Sequence, residues 1–307
     1  MILLLIFLAT PSPAAPEDRA IAYLGREVPA WSKEHKCFSC HNNGDAARAL
    51  YTAARLGLKV PKEALDDTTR WLAKPDEWDK NGGDQTYNDK QLDRLQFAVA
   101  LLEAMDAGRI KEREPLLKAA ELVAAQQHRD GYWPIGPDGA IGSPVTHGAT
   151  LATVQGRRVL DRADATKYKV AIKNADDWLR RKTIKTVLDA AALLLFLENA
   201  DDDVTKERRK ECLEVLRKGE SKDGGWGPYI NSAPEVFDTA LVTLALSRQP
   251  ETKEIKTWLK HGRAYLLSTQ QQDGSWPETT RPSGAESYAQ RLSTTAWATQ
   301  ALLATRP

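Results

Sequence analysis

The 307-residue sequence predicts an all-α protein in which six helical hairpins close into a double ring. Three observations lead there. A longer Lys/Glu-rich segment is followed by an apolar segment rich in small residues, and this pair recurs six times. The hydrophobic spacing is helical throughout, no stretch alternates with period 2, and the Gly/Pro clusters fall between the helical segments. One short element also recurs at fixed offsets, which is the signature of a repeat architecture. Leu122-Val123 is followed by Gln127, Gly131 and Trp133; Val215-Leu216 by Glu220, Gly224 and Trp226; Tyr265-Leu266 by Gln270, Gly274 and Trp276.

Taken in order, Pro16-Glu17-Asp18 supplies the proline and acids of a helix start, and helical spacing continues from Arg19 to Glu34. Its partner, Ala46 to Gly57, is apolar all round except for Arg48 and Arg55, and reads as an inner helix. The further pairs are Pro61 to Trp71 with Leu92 to Ala107, Ile110 to Gln127 with Thr146 to Leu160, and Ala163 to Arg181 with the apolar run from Thr186. Val204 to Lys218 then precedes the run from Phe237, and Thr252 to Gln270 precedes the run from Ser293. Charged segments form the outer ring and apolar ones the inner ring. The turns after Trp78, Trp133, Trp226 and Trp276 are expected at one mouth of it. In the repeated element, the Gln can bond backbone groups that a helix end leaves unpaired. The Gly permits a positive-φ turn, and the Trp buries a large apolar area over it.

Composition narrows the function. Lys plus Arg number 43 against 42 for Asp plus Glu, so no basic surface is available for nucleic acid. Residues 1–14 read as a secretory signal with cleavage after Ser12-Pro13-Ala14, since the apolar run is too short to span a bilayer; an uncleaved anchor is the alternative. The mature domain, residues 15–307, is then expected outside the cytoplasm, in the periplasm or cell envelope.

Tyr265-Leu266, Gln270, Gly274 and Trp276 resemble the QW repeat of squalene cyclases and related class II terpene cyclases. The resemblance covers nearly the whole mature chain as a hairpin pattern. It implies an (α/α)6 toroid, a fold shared with protein prenyltransferase β subunits, and a lipid- or terpenoid-like ligand. In that group an acidic D-x-D-D-T-A motif protonates the substrate. The matching stretch here runs from Glu235 through Phe237 to Asp238, Thr239 and Ala240, and Phe237 stands where the proton donor belongs. Phe cannot donate a proton, so cyclisation through this motif is not available. Glu235, Asp238 and Asp189 remain as catalytic candidates, with Asp189 also reading as a helix cap. Zinc chemistry of the prenyltransferase kind is not expected, because Cys212 lies on an outer helix. A weaker resemblance, D-G-G-W at 223–226 and T-Y-N-D at 86–89, points to exported polysaccharide lyases on the same fold. The acids and base they need would come from Asp84, Asn88, Asp89, Asp93 and Arg94.

The sharpest chemical signal is Cys37-Phe38-Ser39-Cys40-His41. C-x-x-C-H is the attachment signature of c-type haem, with two thioether bonds and His41 as the iron ligand. A redox-active disulfide and a zinc site are the alternatives. With haem c, the iron is expected either five-coordinate or bound by a second His from among His35, His128 and His147. Of these, His147 starts an inner helix at the same mouth, and a redox partner is implied. The leading expectation is an exported, non-cyclising toroid with haem at the cavity mouth, for redox chemistry or apolar-ligand binding. A polysaccharide lyase or hydrolase and a non-catalytic scaffold are the alternatives.

Overall fold

The computed structural model describes residues 14–82, 89–136, 140–198, 202–281 and 284–307. The expected signal peptide therefore lies outside the described residues apart from Ala14, as do Asp84 and Asn88 of the proposed acidic loop. No described helix is long and apolar enough to cross a membrane.

The six hairpins are present. Outer helix α1 (Pro16–His35) leads through a π-helical turn, Cys40–Ala46, into inner helix α2 (Ala47–Arg55). The second outer layer is α3 (Asp66–Leu72) with α4 (Pro75–Trp78), and its inner helix is α5 (Lys90–Asp106). The later pairs are α6 (Glu114–Ala124) with α7 (Gly148–Asp164), α8 (Lys169–Arg181) with α9 (Val187–Phe196), α10 (Asp203–Gly219) with α11 (Val236–Leu246), and α12 (Lys253–Thr269) with α13 (Tyr288–Ala304). The outer helix expected over Pro61 to Trp71 starts as a 3-10 turn at Lys62–Ala64 and continues as α3, and the turn expected at Pro75-Asp76 carries the short helix α4. Lys74 precedes Pro75, and the proline ring bars it from helical geometry, so it sits at φ −128 and ψ 65 and breaks the helix there.

Inner helices α2, α5, α7, α9, α11 and α13 pack side by side, and α13 returns to α2 to close the ring. They are buried nearly all round, α11 and α13 most completely, whereas α8 and α10 bury only one stripe of residues. Side-chain oxygens of Asp89, Thr186, Asp202, Thr252 and Ser287 cap α5, α9, α10, α12 and α13 by accepting backbone N–H groups of the first turn.

The repeated element has the same geometry at each site. The indole N–H of Trp133, Trp226 and Trp276 donates to the carbonyl ten residues upstream, at Val123, Leu216 and Leu266, over 2.8, 2.8 and 2.7 Å. Each Trp backbone N–H donates to a threonine hydroxyl on the following inner helix, at Thr153, Thr239 and Thr295. All three indoles are fully buried. The Gln amide reaches the next hairpin: Gln127 donates to Ala171 O in α8, and Gln270 to Pro16 O in α1. The third copy thus closes the ring, assisted by an ion pair between Arg263 and Glu17. Glu220 has no amide to donate, and it instead accepts from Trp258 and His261 of α12. The apolar core forms two halves, one around hairpins one to three and one around four to six. A cavity and a buried polar network occupy the axis between them.

Candidate functional site

The N-terminal ends of the inner helices form one face of the toroid and carry most of the sequence-derived candidates. Phe237 is fully buried, edge-on to Trp297 with ring centroids 5.7 Å apart. Asp238 is fully buried and accepts a bidentate pair from Arg281, Nη1 to Oδ2 at 3.0 Å and Nη2 to Oδ1 at 2.9 Å. Arg281 also pairs with Glu235, and its Nη2 donates to Gly142 O at 3.2 Å. One guanidinium therefore ties the sixth hairpin to the fifth and to the loop of the third, which closes this face. Burial, opposed by Arg281 and reinforced by Glu235, pushes Asp238 up to about 7. Asp189 accepts from Thr150 Oγ1 at 2.6 Å and from Lys185 N at 3.2 Å, while its own N–H is capped by Thr186. Asp238, Glu235 and Asp189, expected as catalytic candidates, are committed to these structural bonds, and none of them lines the central cavity.

Cys37, Cys40 and His41 lie on the same face. Asn81 bonds both backbone groups of Phe38, and the Phe38 ring stacks on Trp71 at 4.4 Å, so the segment is pinned from outside. Ser39 Oγ accepts from the N–H groups of His41 and Asn42, which starts the π-helical turn. Both thiols are free and buried, and burial together with the neighbouring Asp93 holds the Cys40 thiol well above its usual value. Burial likewise raises Asp93 to about 6, against the hydrogen bond from Cys40. His41 Nδ1 bonds Ser293 Oγ at 3.1 Å, and Nε2 has no partner among the described residues. Burial, offset by Asp45, lowers His41 to about 4, so it is neutral at pH 7. A neutral imidazole with Nδ1 anchored and Nε2 unengaged, one residue after a C-x-x-C pair, fits the donor set of c-type haem.

His147 does not fit as a second axial ligand. It is fully buried, and both ring nitrogens are engaged: Nδ1 with Gln155 Oε1 at 2.9 Å, Nε2 with Gln96 Nε2 at 3.1 Å and Asp45 Oδ1 at 3.4 Å. With Gln155 Oε1 facing it, Nδ1 is the donor of that bond, while Nε2 lies between the Gln96 amide and the Asp45 carboxylate. His147 has a positive φ, 57°, just before Gly148 at the start of α7. The residues proposed for lyase chemistry are used elsewhere too. Asp89 caps α5, and Arg94 forms a bidentate pair with Asp79 at 2.8 and 2.6 Å.

The central cavity, about 700 Å³, lies at the opposite end, among the C-terminal halves of the inner helices. That is within the ~300–1,000 Å³ of ligand pockets. The expected placement of haem at the cavity mouth is corrected accordingly, because neither cysteine nor His41 lines the cavity. The floor is Arg48, Gln155, Trp297 and Gln300. Arg48 lies over the Trp297 ring at 4.2 Å. Above it, α9, α11 and α13 contribute Leu195, Phe196, Leu244 and Leu303, with Glu198, Ser247 and Arg248 just past the ends of α9 and α11. The wall from α2, α5 and α7 is charged and internally paired. Arg158 meets Glu103 at 3.0 Å, Arg162 meets Asp106 at 2.6 Å and Arg157 meets Asp161 at 3.2 Å. Sequence reasoning missed this site, although Arg48 and Arg55 in an otherwise apolar inner helix were its visible signal.

Residues 185–306, from inner helix α9 through hairpins five and six, match the model of the squalene-hopene cyclase C-terminal domain. No functionally curated protein matches the chain in sequence. Among solved structures, it is similar to the type II terpene cyclase MstE from Scytonema in complex with its substrate, geranylgeranyl dihydroxybenzoate. The two share 14% identity over 94% of this chain and 99% of that one, with a TM-score of 0.59. A protein from Actinoplanes gives 17% identity over 95% and 99%, TM-score 0.60. A polysaccharide lyase gives 13% identity over 95% and 98%, TM-score 0.58. Identities this low speak to the fold, and the fold is that of a terpene-cyclase-like α/α toroid.

Proposed function

We propose that this protein is an exported, non-cyclising toroid that binds an apolar, lipid- or terpenoid-like molecule in its central cavity and carries a covalent haem c on its closed face. The observation that supports the reading most is the division of the axis. The cavity is kept at one end, while at the other the proton-donor position is a buried phenylalanine and the adjoining aspartate is tied to Arg281. Cys37 and Cys40 would hold the haem through thioether bonds and His41 Nε2 would bind its iron. The group supplies one-electron transfer when bound, and so implies a redox partner. Ser293 keeps the imidazole oriented, and burial keeps it neutral and able to bind iron.

Expression of the full chain in a bacterium with the haem-attachment machinery tests the haem. The expected product retains a Soret band after denaturation, and Cys40→Ala loses it. A folded, exported protein without that band would remove haem from the account. Phe237→Asp tests the non-cyclising assignment. Because Phe237 sits outside the cavity in a dry site, the variant is expected to lose about 3–5 kcal/mol of stability and to cyclise no polyprenoid. Turnover of squalene or of a geranylgeranyl arene by Phe237→Asp would show that the cavity still serves this motif.

A further inference from the structure

The floor of the cavity holds more hydrogen-bond donors than the protein satisfies. Arg48, Gln155 and Gln300 are 4%, 7% and 8% exposed, and all three line the cavity. Gln155 Oε1 is occupied by His147, which leaves its amide N–H groups without an acceptor among the described residues. With the Gln300 oxygen placed on Arg48 Nη2 at 2.9 Å and Nε at 3.1 Å, the Gln300 amide nitrogen is likewise left to donate. Arg48 Nη1 has no acceptor among the described residues, and the nearest carboxylate oxygen, Asp45 Oδ1, stands 3.9 Å from Nη2. That is too far for a hydrogen bond. Asp45 is also shared with His147 at 3.4 Å and Gln96 at 3.2 Å.

Of the other five arginines of the cavity, four have a carboxylate oxygen within 3.3 Å, and the fifth, Arg55, has its side chain 42% exposed to solvent where Arg48 is buried. Arg55 faces Glu103 at 3.9 Å, Arg157 faces Asp176 at 2.8 Å, Arg158 faces Glu103 at 3.0 Å, Arg162 faces Asp106 at 2.6 Å, and Arg248 faces Glu198 at 3.3 Å. One buried guanidinium thus lacks a hydrogen-bonded acid, and two amides point donors beside it. A buried charge left in that state is costly unless something pairs it. One spare cation matches a monoanion and not a diphosphate. Beside the floor, Leu195, Phe196, Leu244 and Leu303 supply apolar lining, and Glu198, Ser247 and Arg248 follow just past the ends of α9 and α11.

We infer that the cavity is a site for a long-chain carboxylate, its head group on Arg48, Gln155 and Gln300 and its hydrocarbon along the wall of α9, α11 and α13. This rests on the ligand-binding reading above and names the chemical class of the ligand. The carboxylate takes a charge-assisted hydrogen bond from Arg48 Nη1 and neutral ones from the two amides. His147 acts through Gln155 as a positioning residue, since its Nδ1–H fixes which end of that amide faces the cavity.

Palmitate and methyl palmitate, titrated into the full chain with Trp297 fluorescence as the readout, separate the contributions of head and tail. Palmitate is expected to bind about tenfold or more tightly than the ester. Arg48→Met should bring palmitate down to the ester's affinity and leave the ester within about twofold, with Arg48→Lys in between. Gln155→Leu, which removes no charge, should weaken palmitate alone by about threefold, and it serves as the test if Arg48→Met does not fold. Equal binding of acid and ester, or ester binding that falls in step with palmitate in Gln155→Leu, would overturn the head-group site and leave the cavity reading standing. Failure of both compounds to bind would overturn both.

Discussion

Arg281→Met is expected to lower the unfolding free energy by about 3–5 kcal/mol above pH 7, where the Asp238 carboxylate must stay buried without its partner or take up a proton. The substitution also removes the bonds to Glu235 and Gly142 O that join three hairpins on the closed face. The loss should depend on pH. Burial already raises folded Asp238 to about 7 with Arg281 present, and without the guanidinium it rises further. A carboxyl whose folded pKa lies above its unfolded one contributes stability at low pH, and that contribution is lost as pH rises through the folded value. Up to about pH 7 parent and variant lose that contribution together, and above it only the variant goes on losing. Its deficit should therefore be flat from about pH 4 to 6 and widen from about pH 7 to 9. Urea unfolding of both proteins across that range checks the sign. A deficit that grows on acidification would contradict the pairing.

Gly274→Ala should cost about 4 kcal/mol or more, at the top of the range for single substitutions. Gly274 has φ 94°, and a Cβ there would stand 2.2 Å from the Arg19 carbonyl oxygen, a backbone atom that cannot step aside. Moving the turn away would break the bonds from Gln270 to Pro16 and to Gly274 itself, which close the ring between the last and first hairpins. Gly57→Ala is the control. It also has a positive φ, 76°, but nothing lies within 4 Å of the added carbon, so only the local backbone cost of about 1 kcal/mol applies. Thermal unfolding of the pair separates ring closure from conformational strain.

The hairpin order was legible because each inner helix is apolar all round and each outer one is not, and because the Gln, Gly and Trp offsets are fixed by one turn geometry. The end of the second outer helix was legible in Pro75-Asp76, but the 3-10 start at Lys62–Ala64 and the short helix α4 were not, since neither departs from the charged pattern around it. The site was read less well for a physical reason. Sequence shows that Asp238 and Asp189 are acids near helix starts, but not that Arg281 and Thr150, 43 and 39 residues away, already hold them. His147 was placed at the right end of its helix, yet its partners Gln96, Asp45 and Gln155 come from three hairpins. Arg48 stood out in an apolar segment, but whether such a residue is paired or spare depends on neighbours that only the closed ring brings together.

The central claim is that the working cavity opens at the C-terminal ends of the inner helices while the opposite face is closed. Leu244→Trp narrows the open end, and Glu235→Gln alters the closed one. With methyl palmitate as the probe, the account predicts that Leu244→Trp weakens binding about tenfold or more and that Glu235→Gln stays within about twofold of the parent. Binding unaffected by Leu244→Trp but abolished by Glu235→Gln would place the ligand at the face described here as closed, and would contradict it.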